Sequence, residues 1–290
     1  MKRFKNILLL SREGAGERAT LARAVVLAKQ NGARLTLVEV VEDLPRELRM
    51  LITAMPAIHL EKVVLKERIE RLQAIVAPLV EDGVRASSTV LYGTPFLEII
   101  REVLRQKYDL VILTAEGGSG VKERLFGSTS LHLMRKCPCA VWVMKPSRSR
   151  RYHRSIAAVD PDPADPERTA LNMKILDLAT SLSVPKTGLL HIVHVCRMPR
   201  ETLYREARKQ IPRAKLDKML AEARDQSQRT LDDLLATYPL KDLRHQIHLP
   251  EGEPRVLIPE LARDEEIDLI VMGTVCRTGI PGFIIGSTAE

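Results

Sequence analysis

The feature that most limits what this chain can fold into is that its second half repeats the plan of its first. Gly93 matches Gly252, Tyr108-Asp109-Leu110-Val111-Ile112 matches Ile267-Asp268-Leu269-Ile270-Val271, and Gly127-Ser128 matches Gly286-Ser287, each pair 159 positions apart. The opening strands are closer, Ser11 and Asp160 being 149 positions apart, so the second copy carries about ten extra residues before its fourth strand. A register held across three separate motifs marks a duplication. Two domains are therefore expected, residues 1–147 and 152–290, divided between Lys145-Pro146 and Tyr152 where Pro, Ser and Arg replace the apolar pattern.

Each copy alternates strand-like and helical runs, the pattern of a parallel sheet covered by helices. The first opens with Asn6 to Ser11, a 3.6-period helix near Arg18 to Asn31 and a strand Leu35 to Val41. The second repeats this with Ser155 to Asp160, Arg168 to Leu182 and Leu189 to Val195. Long amphipathic segments follow, Leu60 to Val80 and Leu216 to Tyr238, and then a short strand, a Gly turn and a helix. The expected class is α/β, as two tandem Rossmann-like parallel-sheet domains. The sequence reaches Thr288-Ala289-Glu290 where the last helix of the second copy should begin, so that copy is expected to lack its final helix and strand.

Charge and composition exclude several functions. The chain carries a net charge of +8, yet only 3% of its residues are aromatic. A single-strand binder stacks bases on aromatic rings, and a duplex reader needs a reading helix; neither signature is present, so nucleic acid is not the expected partner. The densest basic run, Arg148, Arg150, Arg151 and Arg154, reads as a solvated interdomain linker. Apolar stretches such as Leu189 to Val195 fall far short of the roughly 20 residues that span a bilayer. Ile7 to Leu10, behind the basic Met1 to Lys5, is too short for a signal-peptide core of about 7–15 residues. Four cysteines without a CxxC pair fit a reducing compartment, and the cytoplasm is the expected location.

The motifs that carry chemistry sit at strand ends. Strand Asp109 to Leu113 runs into Thr114-Ala115-Glu116-Gly117, and nine residues later comes Gly127-Ser128 before a helix. Its partner is Gly273-Thr274-Val275-Cys276, nine residues, then Gly286-Ser287. A Gly-rich turn at the carboxyl end of a parallel strand lets backbone N–H groups approach phosphates, and Gly-Ser at a helix start adds a hydroxyl and the helix field. The same glycines also serve as tight strand-to-helix turns without any ligand. Gly93-Thr94-Pro95 and Gly252-Glu253-Pro254 start helices in the same manner, with Pro at the first helical position.

On these residues, the Cys137-Pro138-Cys139 strand entry and the duplication, nearly the whole chain resembles the universal stress protein family, and in its tandem form the bacterial members of E type. ATP-binding members carry G-x2-G-x9-G-[ST] at this place, so the resemblance implies ATP with Mg²⁺ as ligand. An Asp ends the first strand in those members and holds the adenosine; Asp160 is similar to it, whereas the first copy has Ser11. The implied second-domain site is Asp160, Val193, Gly252, Met272, Gly273, Cys276, Gly286 and Ser287, with Cys276 standing for the second Gly. The first-domain set, Ser11, Gly93, Thr114, Gly117, Gly127 and Ser128, is degenerate, with Thr114 for the first Gly.

Other side chains invite chemistry less. His191 and His194, three apart on a strand, point to opposite faces and cannot chelate one metal together. Cys137 and Cys139 read as small core or edge residues, and Cys276 as a thiol facing the pocket mouth, where a helix N-terminus favours thiolate. No Walker A loop, Ser-Gly-Gly-x-Asp-Ser loop, His-x-Gly-His motif or Gly-x-Ser-x-Gly elbow with a His and an acid occurs, so no catalytic set is found. The reading is a stress-response nucleotide-binding or regulatory module that acts on a protein partner. A slow ATPase, and an interaction protein with degenerate or apolar-ligand pockets, stay open beside it. The resemblance further implies pairing of the two copies as an intramolecular pseudo-dimer, or homodimer formation through the last strands, with Trp142 near the seam.

Overall fold

The computed structural model describes residues 3–14, 16–42, 57–115 (side chains from 63), 127–145, 152–182, 187–196, 211–240 and 243–274. The chain divides into two compact units, Met1–Arg150 and Arg151–Glu290.

In the first unit the elements run β1 (Asn6–Leu10), α1 (Glu17–Asn31), β2 (Arg34–Val41), α2 (Ala57–Glu81), β3 (Arg85–Tyr92), α3 (Pro95–Gln106), β4 (Leu110–Thr114), α4 (Ser128–Lys136) and β5 (Ala140–Met144). The five strands are all parallel, in the order β3-β2-β1-β4-β5. Central strands of such a sheet are covered on both faces and read as unbroken apolar runs. Every residue of β1 is accordingly buried, and all of β4 but its last. On one face Leu8, Leu10, Val38, Val111 and Leu113 pack with Ile99 and Val103 of α3 and Leu133 of α4. Helix α1 lies on β1, β2 and β4, and α2 on β2 and β3.

The second unit repeats this with β6 (Arg154–Ala158), α5 (Pro166–Leu182), β7 (Leu189–Val193), α6 (Arg213–Ala236), β8 (His245–His248), α7 (Pro254–Asp264) and β9 (Leu269–Met272). Its four described strands are parallel, in the order β8-β7-β6-β9. One face of this sheet packs Ala157, Leu190 and Ile192 against α5 and α6 through Ile175, Leu176, Leu231 and Leu235. The other packs Ile156, Val193 and Val195 against Ile258 of α7. Arg154, expected in the linker, is the first residue of β6; its guanidinium donates to the carbonyl of Glu265 at 2.8 Å.

Both units share a device that accounts for the repeated Asp. The carboxylate of Asp109, just before β4, accepts the backbone N–H of Lys5 at 2.7 Å and that of Asn6 at 3.3 Å, at the start of β1. Asp268 does the same before β9, accepting from His153 at 2.8 Å and Arg154 at 3.1 Å. Charge-assisted bonds of this kind fix the ends of the two central strands against each other. Among the described residues, no helix is long and apolar enough to cross a membrane.

Candidate functional site

An open parallel sheet has its crevice at the carboxyl ends of the strands where the strand order reverses. That point lies between β1 and β4 in the first unit and between β6 and β9 in the second. The chain leaving β1 passes Ser11 and Arg12; the chain leaving β6 passes Val159 and Asp160.

In the first unit the crevice is lined by side chains that satisfy one another. Ser11 is buried, and its hydroxyl donates to the carboxylate of Glu17 on α1. Glu39 near the end of β2, itself buried, accepts from Arg71 at 2.5 Å and stands 3.3 Å from Arg68. Arg68 also reaches Glu13 at 2.7 Å, and Arg71 lies 3.5 Å from Glu13 and 3.7 Å from Glu17. Three carboxylates and two guanidinium groups therefore form one network over the ends of β1 and β2. Burial works against the charge on Arg71, but its hydrogen bond to Glu39 and the fields of Glu39, Glu17 and Glu13 outweigh that and raise its pKa. On the β4 side the hydroxyl of Thr114 pairs with that of Thr20 on α1 at 2.8 Å. Arg12 crosses to α4 and donates to the hydroxyl of Thr129 at 3.1 Å. Gly127 is the N-cap of α4 and Ser128 its first residue; Gly117 lies outside the described residues. Gly93 has φ +132°, a backbone that L side chains rarely adopt, at the turn into α3.

The Ser11 hydroxyl and the charged groups over the ends of β1 and β2 thus take one another as partners.

The second unit differs at each corresponding place. Asp160 is half-buried at the end of β6, and its backbone N–H donates to Oδ1 of Asn172 on α5 at 2.9 Å. The acids after it are engaged locally, Asp162 with Arg168 at 2.6 Å and Asp165 with Arg168 at 3.4 Å. Gly252 has φ +146°, and a Cβ there would stand 3.0 Å from Leu257, so the turn into α7 demands glycine on two counts. Gly273, after β9, is packed: a Cβ would come within 2.9 Å of Leu171 and 3.8 Å of Ile175 on α5. Val193 is buried in the core beneath α7, and Met272 packs against the same cluster. Cys276, Gly286 and Ser287 lie outside the described residues. Asp160 thus ends β6 on a backbone that Asn172 holds, at the place where the first unit has Ser11 bonded to Glu17.

Two features escape a reading by spacing alone. His191 and His194 do point to opposite faces: His194 approaches the carbonyl of Val159 at 3.3 Å, while His191 meets His248 of β8 with Nδ1 and Nε2 3.0 Å apart. The rings of His191 and His248 are stacked, with centroids 5.2 Å apart. Burial lowers the pKa of both, and for His191 the charge of its partner lowers it further. Cys137 and Cys139, expected as small core or edge residues, are half-buried with their sulfurs in contact at 3.6 Å. Both pairs depend on strand register or on a bend, which no spacing rule supplies.

Each unit is thus a doubly wound α/β domain whose crevice opens at the reversal of its strand order. The universal stress protein family model matches residues 3–145 and again residues 156–290, and the chain belongs to that family. It is 25% identical over 292 residues to universal stress protein E of Escherichia coli, covering 100% of this chain and 90% of that one. The universal stress protein E homolog of Haemophilus influenzae is 23% identical over 294 residues, with 99% and 93% covered. A crystal structure from Pseudomonas aeruginosa, assigned to the same family, matches with a TM-score of 0.70 at 24% identity, over 100% of this chain and 89% of that chain, which is a likeness of fold.

Proposed function

We propose that this chain is a stress-response binding module in which the second domain takes ATP with Mg²⁺ and the first domain serves without a ligand of its own. The contrast between the ends of β1 and β6 carries this reading. Where the first domain has Ser11 tied to Glu17 beneath an ion network, the second has Asp160 on a backbone held by Asn172. A carboxylate there can accept hydrogen bonds from a ribose or an adenine amine. No set of nucleophile, base and orienting acid was found in the sequence, so occupancy acts on partner contacts rather than turnover.

The packing of Gly273 against Leu171 favours a second reading, an interaction protein whose glycines are structural and whose pockets take no nucleotide. Isothermal titration of the full chain with ATP and Mg²⁺, beside Asp160→Ala and Ser11→Asp, separates the two. The proposal expects one site, lost in Asp160→Ala and retained in Ser11→Asp. A folded wild-type chain that takes up no ATP, and co-purifies with none by mass spectrometry, overturns it in favour of the second reading.

A further inference from the structure

Helix α4 ends at Lys136, and Pro138 holds the residue before it out of the helical region, so Cys137 is extended at φ −71°, ψ 130°. The N–H of Cys137 nevertheless caps the helix, donating to the carbonyl of Leu133 at 2.9 Å. The chain bends at Pro138 and Cys139, and the next residue, Ala140, is already in the β5 ladder opposite Leu110. Both ends of Cys137-Pro138-Cys139 are therefore pinned by backbone hydrogen bonds, and its middle by a proline ring of fixed φ. It is this frame that sets the two Sγ atoms 3.6 Å apart.

A disulfide needs a sulfur separation of about 2.05 Å, so the frame leaves only a short approach to make. Neither thiol is sealed in the core; both are half-buried, within reach of a small oxidant. The thiolate is the reactive form. Here the Cys139 thiol can donate to the Cys137 sulfur, which lowers the pKa of Cys137 even though burial raises it.

We propose that Cys137 and Cys139 form a reversible two-electron redox site that closes to a disulfide in the presence of hydroperoxide. The Cys137 thiolate attacks the peroxide: an S–O bond forms, the O–O bond breaks, and the departing oxygen takes a proton and leaves as an alcohol or water. Cys139 then attacks the sulfenic sulfur: the S–S bond forms, the S–O bond breaks, and the hydroxide leaves as water with the Cys139 proton. Two thiols have given two electrons and the hydroperoxide has been reduced. With one residue between the sulfurs, the ring is small and strained, the kind of disulfide that cellular dithiols reopen readily by exchange. In a reducing compartment such bonds are transient and signalling rather than structural. Closure also draws on Cys137, the C-cap of α4, and so reaches the helix whose first turn receives Arg12.

The test exposes the full chain to hydrogen peroxide, blocks remaining thiols and maps the products by mass spectrometry. The expected result is loss of two hydrogens in the peptide holding Cys137 and Cys139, with Cys196 still alkylated, and full reversal by dithiothreitol. The native chain should react about tenfold faster than the same chain in urea, because the frame and the lowered thiol pKa exist only when it is folded. Cys139→Ser should stop at a sulfenic acid on Cys137 that dimedone traps. Equal rates in the folded and unfolded chains, direct passage of Cys137 to sulfinic acid in the wild type, or bonding to any other cysteine each overturns the proposal. The wild-type comparison stands even where a variant folds poorly.

Discussion

A methyl group placed on Gly273 would stand 2.9 Å from Cδ2 of Leu171. Leu171 can yield only by turning, and Ile175 lies 3.8 Å from the same position. Gly273→Ala should therefore destabilise the second domain by about 1 kcal/mol, the low end for overpacking because a side-chain tip can still adjust. Leu171→Ala in the same chain should recover part of that loss, a coupling that denaturant unfolding of the single and double variants measures. If the glycine served only to admit phosphate, Gly273→Ala would leave stability unchanged and abolish ATP uptake.

The network at the first crevice should show itself as stability. Glu39→Gln keeps the shape of the side chain but withdraws the charge that faces both Arg68 and Arg71. Both guanidinium groups remain partly exposed, so the cost should fall below that of breaking a fully buried pair, at about 1–2 kcal/mol. Trp142 is the sole tryptophan and lies on β5 of the same unit, so its fluorescence follows this unfolding. Raising the salt concentration should shrink the difference between wild type and variant only in part, since Glu39 is largely withdrawn from solvent while both guanidinium groups keep some exposure.

Acid should loosen the second domain first at the β7–β8 edge. With its proton on Nδ1, neutral His191 donates to His248, while its buried Nε2 has no hydrogen-bond partner among the described residues. A second proton would need an acceptor at Nε2, and it would set a cation against His248. Glu265 favours protonation of both rings and Arg154 opposes that of His191, but burial dominates and both pKa values lie below the usual histidine value. The folded state therefore binds fewer protons than the unfolded one below about pH 6.5, and each unit of depression is worth about 1.4 kcal/mol. Stability is fully present above that pH and falls as the pH drops toward the folded-state values. Hydrogen exchange of peptides covering Leu189–Val193 and His245–His248 should quicken over this window, and His191→Phe should flatten the dependence.

Much of the fold was legible because the central strands are apolar without interruption and the repeat fixed the order of elements. Strand Ala140–Met144 falls where its pattern placed it, and most other elements differ by one to three residues at their ends. The site was less legible, because a motif names residue types and not what their side chains touch. Ser11 reads from the sequence as a replacement for Asp, but its partner Glu17 and the arginines of α2 come together only through the packing of α1 and α2 on β2. Gly273 reads as a phosphate glycine from spacing, while Leu171, about a hundred positions away, is what its missing side chain makes room for. His248 could not be linked to His191 until β7 and β8 were in register.

The bond from Lys5 to Asp109 joins residues 104 positions apart, and that from His153 to Asp268 joins residues 115 apart. A polypeptide leaves the ribosome N-terminus first, so β1 is made long before the carboxylate that locks it in place. Until Asp109 emerges, β1 has β2 for a neighbour and an open side toward β4. The first copy receives its lock before the ribosome reaches β6, and only later does the second copy offer strands of the same plan. The two look-alike halves are thus locked one after the other, and exchange of strands between halves is a failure to which multidomain and repeat chains are prone. A nascent chain arrested just short of Asp109 would lack that lock and β4 and hold an unfinished sheet at the mouth of the exit tunnel.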